Sequence, residues 1–171
     1  MIVIVEGLDG CGKTTLCKRF AEKYDFEYIK ESYTDDCKEK EGRMIKMLER
    51  LTDGKNYIYD RTTLIDDFVY GFLNKQPSTL TKYKNIVLSI LSQCHIFHLV
   101  LDEETRRQRF EQRGDAYITN EMIAHIAAYY GVFYADLPNV HFFELQPDNE
   151  QNVKKIMEEI NNDKGVTHCI E

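Results

Sequence analysis

A chain of 171 residues, 43% hydrophobic and 30% charged, has the length and apolar content for one globular domain with a sizeable core. No apolar run is long enough to span a bilayer, and a net charge of −7 argues against a nucleic-acid polymer as main partner, whose binders present a basic face. Five cysteines without a C-x-x-C pair indicate neither a disulfide framework nor a zinc site, so a reducing, cytoplasmic setting is expected.

The first predicted strand, Ile2–Glu6, is apolar and β-branched, with no basic flank before it, so it reads as a buried strand and not as a signal peptide. Residues 7–15 follow at once: Gly7, Leu8, Asp9, Gly10, Cys11, Gly12, Lys13, Thr14 and Thr15. They match G-x-x-x-x-G-K-[ST], a loop whose glycines let backbone N–H groups approach a polyanion at the start of a helix. Lys13 adds a point charge for the β- and γ-phosphates, and the Thr14 hydroxyl can ligate Mg²⁺. A nucleoside triphosphate is the expected ligand. Cys11 lies where a thiolate is favoured, although a small loop residue without redox role is the plainer reading.

A helix over Lys13–Tyr24, a strand over Phe26–Lys30 and a helix over Asp36–Leu51 come next, then a turn at Asp53-Gly54 and a strand over Asn56–Asp60. Helices are expected at Thr63–Leu73 and Leu80–Gln93, and a strand at Ile96–Asp102. His95 and His98 sit there at a spacing that points them to opposite faces, so no shared metal is expected. Helices at Glu103–Gln112 and Asn120–Asp136 lead to a strand at Val140–Leu145. Pro147 marks a break, and Asp148 with Gln151 reads as a capping box for a helix over Asn149–Ile160. The pattern weakens over 163–171. Alternating strands and helices predict an α/β/α three-layer fold on a five-stranded parallel sheet, with ligands at the carboxyl ends of the strands.

Two strands end in carboxylates that could approach a metal held by Thr14: Asp60, followed by Arg61, and Asp102. Asp60 is preferred, because an adjacent arginine supplies a fork for a second phosphate, whereas Asp102 also reads as a helix cap. Arg106, Arg109 and Arg113 share one helical face. They read either as a lid over about residues 103–118 whose arginines neutralise a transferring phosphoryl group, or as a solvated face paired with Glu103, Glu104 and Glu111.

Together these segments resemble the thymidylate kinase family and the related deoxynucleoside kinases, over Ile2 to about Ile160. Glu6–Thr15 is similar to that family's E-G-x-D-G-x-G-K-T-T loop, Asp60-Arg61 to its D-R pair, with Val69-Tyr70-Gly71 beyond, and Arg109-x-x-x-Arg113 to its lid. The resemblance implies a single P-loop kinase domain that uses ATP and Mg²⁺ to phosphorylate a deoxynucleoside monophosphate, dTMP first. Asp9 would accept the sugar 3′-hydroxyl and Arg61 would hold the acceptor phosphate. Asp60 would reach the metal through water, and Lys13, Arg109 and Arg113 would act on the γ-phosphoryl group. It also implies an adenine contact at Gln146 and Pro147, and a homodimer, for which Leu64–Phe72 and Leu80–Leu91 offer an apolar face unless they are buried by ordinary helix-on-sheet packing.

The departures lie in the base pocket. The stretch between loop and D-R pair is about half the family's length, Thr62 replaces an aromatic residue, and Ile65 stands where serine is usual. Tyr33, Phe68 and Tyr70 are left as candidate walls for the base. A deoxynucleoside kinase is the runner-up. A nucleotide-dependent switch or ATPase ranks third: Asn74-Lys75-Gln76-Pro77 fails the N-K-x-D guanine pattern, and an ATPase leaves Arg61 unexplained.

Overall fold

The computed structural model describes residues 1–73, 78–105, 108–109 and 120–166. Most of the predicted lid, with Arg106 and Arg113, lies outside the described residues, as do 167–171.

Strand β1 (Ile2–Gly7) is buried along its whole length because it occupies the centre of the sheet. The order is β2-β3-β1-β4-β5, with β2 at Glu27–Lys30, β3 at Tyr57–Asp60, β4 at His95–Val100 and β5 at Val140–Glu144, every pair parallel. Period-two alternation divides β1 between two cores. Val3 and Val5 join Leu16 and Phe20 of α1 (Lys13–Tyr24) and Val153 and Ile156 of α6 (Asn149–Val166). Ile2 and Ile4 join Met47 of α2 (Cys37–Arg50), Leu64 of α3 (Thr63–Leu73), Ile90 of α4 (Lys84–Leu91) and Tyr130 of α5 (Asn120–Tyr134). The expected three-layer α/β/α fold is therefore present.

Three local expectations are corrected. The helix predicted from Leu80 opens as a 3₁₀ turn at Thr79–Tyr83, because the Leu80 N–H and the Ser78 hydroxyl both donate to Asp67 Oδ2 on α3, at 2.9 and 2.5 Å. Asp148 caps α6 through the Glu150 N–H at 2.9 Å, two residues on and not three. That helix also runs past Ile160 to Val166, where Asp163 Oδ2 meets His95 Nδ1 at 3.2 Å and His141 Nε2 at 3.1 Å. Of the two segments offered as a dimer face, Leu64, Ile65, Val69, Leu80, Val87, Ile90 and Leu91 follow the alternative and are buried in this chain's own core, while Ile86 is exposed.

His98, on the opposite face from His95, bonds the Tyr134 hydroxyl at 3.0 Å. Among the described residues no helix is long and apolar enough to cross a membrane.

Candidate active site

The loop after β1 turns on glycines in the left-handed region: Gly7 at φ 135°, Gly10 at 81° and Gly12 at 83°. At Gly7 the approach of β4 adds a second reason, since a Cβ there would lie 2.7 Å from the Leu99 carbonyl oxygen. Leu8 packs against both cores and Cys11 is buried, so these two brace the loop from below. Lys13 folds back over the loop and donates to the carbonyls of Gly7 and Leu8, both at 2.8 Å. Burial, with Arg61 close by, lowers its pKa.

β3 delivers Asp60 and Arg61 to the same edge. The Thr14 hydroxyl donates to Asp60 Oδ2 at 2.6 Å, and the Tyr28 hydroxyl donates to the same oxygen at 3.0 Å. Hydroxyl and carboxylate oxygens side by side are the donor set of a hard, hydrated dication. Asp102 is elsewhere: it accepts the Thr105 N–H at 2.8 Å, as a helix cap does.

Arg61 projects into a cavity of about 560 Å³ lined also by Asp9, Gly10, Gly12, Lys13, Thr14 and Thr15 of the loop, by Lys30, Glu31, Ser32 and Tyr33 after β2, and by Asp60, Asp66 and Tyr70. Its guanidinium pairs with the Asp9 carboxylate, donates to the Tyr70 hydroxyl at 3.1 Å and lies 3.9 Å from Asp66 Oδ2. Of the three aromatic walls expected, Tyr33 and Tyr70 are present. Phe68 is not among the lining residues: it stacks on Phe133 in the core, ring centroids 5.0 Å apart, because the helix turns it away from the sheet's edge.

A second cavity, about 590 Å³, opens on the other side of the loop between Gly12, Thr15, Leu101, Asp102, Arg109, Leu145, Gln146, Pro147 and Asn149. Arg109 reaches over the loop and donates to the Gly10 carbonyl at 3.0 Å. Gln146 is held from behind by Asn152, which accepts its N–H at 2.9 Å and donates to its carbonyl at 2.8 Å.

Several residues at the site had no role assigned from sequence. Asp66 lies on the cavity wall with Oδ1 buried and without a hydrogen-bond partner, and burial pushes its pKa up to about 6. Glu6 is fully buried and is pushed up to about 8, first by burial and then by Asp66. Glu31 accepts the Thr63 N–H at 2.7 Å at the start of α3. Arg43 donates to the Ser32 carbonyl at 2.6 Å and the Thr63 hydroxyl at 2.8 Å, joining the loop after β2 to α3. Glu6 and Glu31 did carry a signal, the first as the opening residue of the matched loop and the second in Lys30-Glu31-Ser32, which loosely resembles the family's R-E-P segment, and Arg43 carried its i,i+4 pairing with Glu39; Asp66 carried none.

The fold is shared with solved structures of P-loop kinases. The YorR protein of Bacillus subtilis, solved with phosphorylated GDP, is similar over 96% of this chain and 98% of its own, at 22% identity and a TM-score of 0.76. Deoxyadenosine kinase from M. mycoides with bound dCTP is 25% identical over 95% of this chain and 100% of its own, at 0.59. Thymidylate kinase from Candida albicans is 16% identical over 95% and 92%, at 0.58. No family model matches the chain, and no curated protein matches it by sequence. The likeness thus extends to kinases of nucleosides and of nucleotides alike, and this chain has the fold of the P-loop kinases.

Proposed function

We propose that this chain transfers the γ-phosphoryl group of ATP to the phosphate of a deoxynucleoside monophosphate, dTMP being the first acceptor to test. The observation that carries the reading is the place of Arg61: its guanidinium lines one cavity with Lys13 and Thr14, so a second phosphate held there faces the loop. The cavity bordered by Gln146 and Pro147 takes the donor nucleoside, and the one bordered by Tyr33 and Tyr70 takes the acceptor; both volumes suit a nucleotide. Lys13 leaves its loop carbonyls for phosphate oxygens, and Arg109, joined by Arg113, neutralises charge on the group in transit. Asp60 orients the attacking oxygen, and Asp9, once Arg61 turns to phosphate, accepts a sugar hydroxyl. Thr14 and, through water, Asp60 would hold Mg²⁺, which would supply charge neutralisation at the phosphates.

A deoxynucleoside acceptor is the second reading, favoured by the charge on the cavity wall. Asp9, Glu31, Asp60 and Asp66 stand against Lys13, Lys30 and Arg61, and Asp9 already pairs with Arg61. A neutral nucleoside avoids that competition and would give its 5′-hydroxyl proton to a carboxylate.

A panel decides: ADP production from ATP with each common deoxynucleoside and each 5′-monophosphate. Turnover of monophosphates alone supports the first reading, and turnover of nucleosides alone reverses the order. No ADP with any acceptor removes both. On the first reading Arg61→Ala raises the acceptor KM about 100-fold while the ATP KM stays within about threefold, the loss of a bidentate charge-assisted contact.

A further inference from the structure

Arg61 occupies the left-handed region at φ 71°, a conformation that L side chains avoid and that something must hold. Both peptide groups flanking its Cα are held, and by consecutive residues of β1. The Arg61 N–H donates to the Val5 carbonyl at 3.1 Å, the last rung between β1 and β3. The Thr62 N–H donates to Glu6 Oε1 at 2.8 Å. The other oxygen, Glu6 Oε2, accepts the Tyr130 hydroxyl from α5 at 3.2 Å, so the carboxyl cannot swing. Glu6 lines neither cavity and is fully buried, where an aliphatic residue would continue the strand at lower cost.

We infer that Glu6 is a positioning residue that aims Arg61 at the acceptor by clamping the peptide between Arg61 and Thr62, an inference that rests on the acceptor role proposed for Arg61. The clamp fixes the turn between β3 and α3, at the residue just before the helix begins, so the guanidinium leaves the backbone in one direction. A strained residue held by its neighbours in this way is preorganised for its ligand.

The experiment compares steady-state KM and kcat for both substrates in Glu6→Asp, Glu6→Gln and Arg61→Ala, with hydrogen exchange at the Thr62 amide. Aspartate is one methylene too short to reach Thr62, whereas glutamine still offers an oxygen to it. The expected result for Glu6→Asp is an acceptor KM raised about tenfold or more with the ATP KM within about twofold, and faster exchange at Thr62. Glu6→Gln restores both. Glu6→Leu keeps the side-chain bulk, removes both oxygens and gives the same reading should the aspartate variant fold poorly. Unchanged acceptor KM in Glu6→Asp or Glu6→Leu, while Arg61→Ala raises it, overturns the positioning role and leaves the proposed function standing. If Arg61→Ala itself leaves the acceptor KM unmoved, the acceptor role fails and the inference falls with it.

Discussion

Asp66 lines the cavity where the acceptor is proposed to sit, and its Oδ1 is a buried carboxylate oxygen with no donor. Leaving such an atom unpaired costs the fold its desolvation, and the raised pKa of Asp66 expresses that cost. A ligand that offers a hydroxyl or amino hydrogen, met by a turn of the carboxylate toward the cavity, would recover it on binding. Asp66→Ala is therefore expected to raise the melting temperature by roughly 3 °C while raising the acceptor KM about tenfold. Calorimetry beside acceptor kinetics checks it, and a variant that loses stability with its KM unchanged would make Asp66 structural. The loop residues were legible because their spacing alone defines a phosphate cradle. Asp66 was not, because its isolation depends on which groups α3 and β1 bring near it. Likewise the pairing of Arg61 with Asp9 spans 52 positions and leaves no periodic trace. Phe68, which reads as a base wall by its type, points into the core for the same reason.

At the level of elements, strand positions were legible because β1, β3 and β4 are largely apolar and β2 and β5 carry apolar or aromatic centres between breaks, while their order in space was not. The crossovers that put β1 between β3 and β4 are tertiary, and so is the pull of Asp67 that tightens the start of the fourth helix into a 3₁₀ turn. One residue joins the two levels. Gly7 ends β1 in register with Leu99 of β4 and must carry φ 135° with no room for a Cβ. The obstruction is backbone, which cannot swing aside, so Gly7→Ala has to part the two strands. A loss of about 3 kcal/mol or more is expected, read by urea denaturation against Gly54→Ala as control. Gly54 also has a positive φ, of 78°, but a Cβ there meets nothing within 4 Å. Equal losses in the two variants would show that φ, and not the contact with β4, sets the requirement.

For the molecule as a whole, the buried acids beneath the loop make stability depend on pH in an unusual direction. Glu6 titrates near 8 in the fold against an ordinary 4.5, and Asp66 near 6 against 3.8, burial being the main cause for both. An acid kept protonated by the fold makes the native state bind more protons than the unfolded chain, so stability falls as pH rises between those values. His98 works the other way. Burial, with Lys13 nearby, lowers it from 6.5 to about 4, so the native state binds fewer protons and its contribution grows as pH rises through that window. The opposed slopes partly cancel below pH 6.5, and from there to 8 Glu6 dominates the three, the remaining titration of His98 and Asp66 being smaller and opposed in sign. Unfolding free energy is expected to fall by on the order of 2 kcal/mol across that interval. Lys13, with its lowered pKa, opposes this at higher pH, so the informative quantity is the difference between wild type and Glu6→Gln, in which Lys13 is common to both. Glutamine copies the neutral carboxyl, and Glu6 is neutral over most of the interval. One substitution should thus flatten the stability curve and leave the acceptor KM at neutral pH near the wild-type value. Urea denaturation of both proteins from pH 6.5 to 8 tests this; parallel curves would assign the slope to another group and remove the buried proton from Glu6.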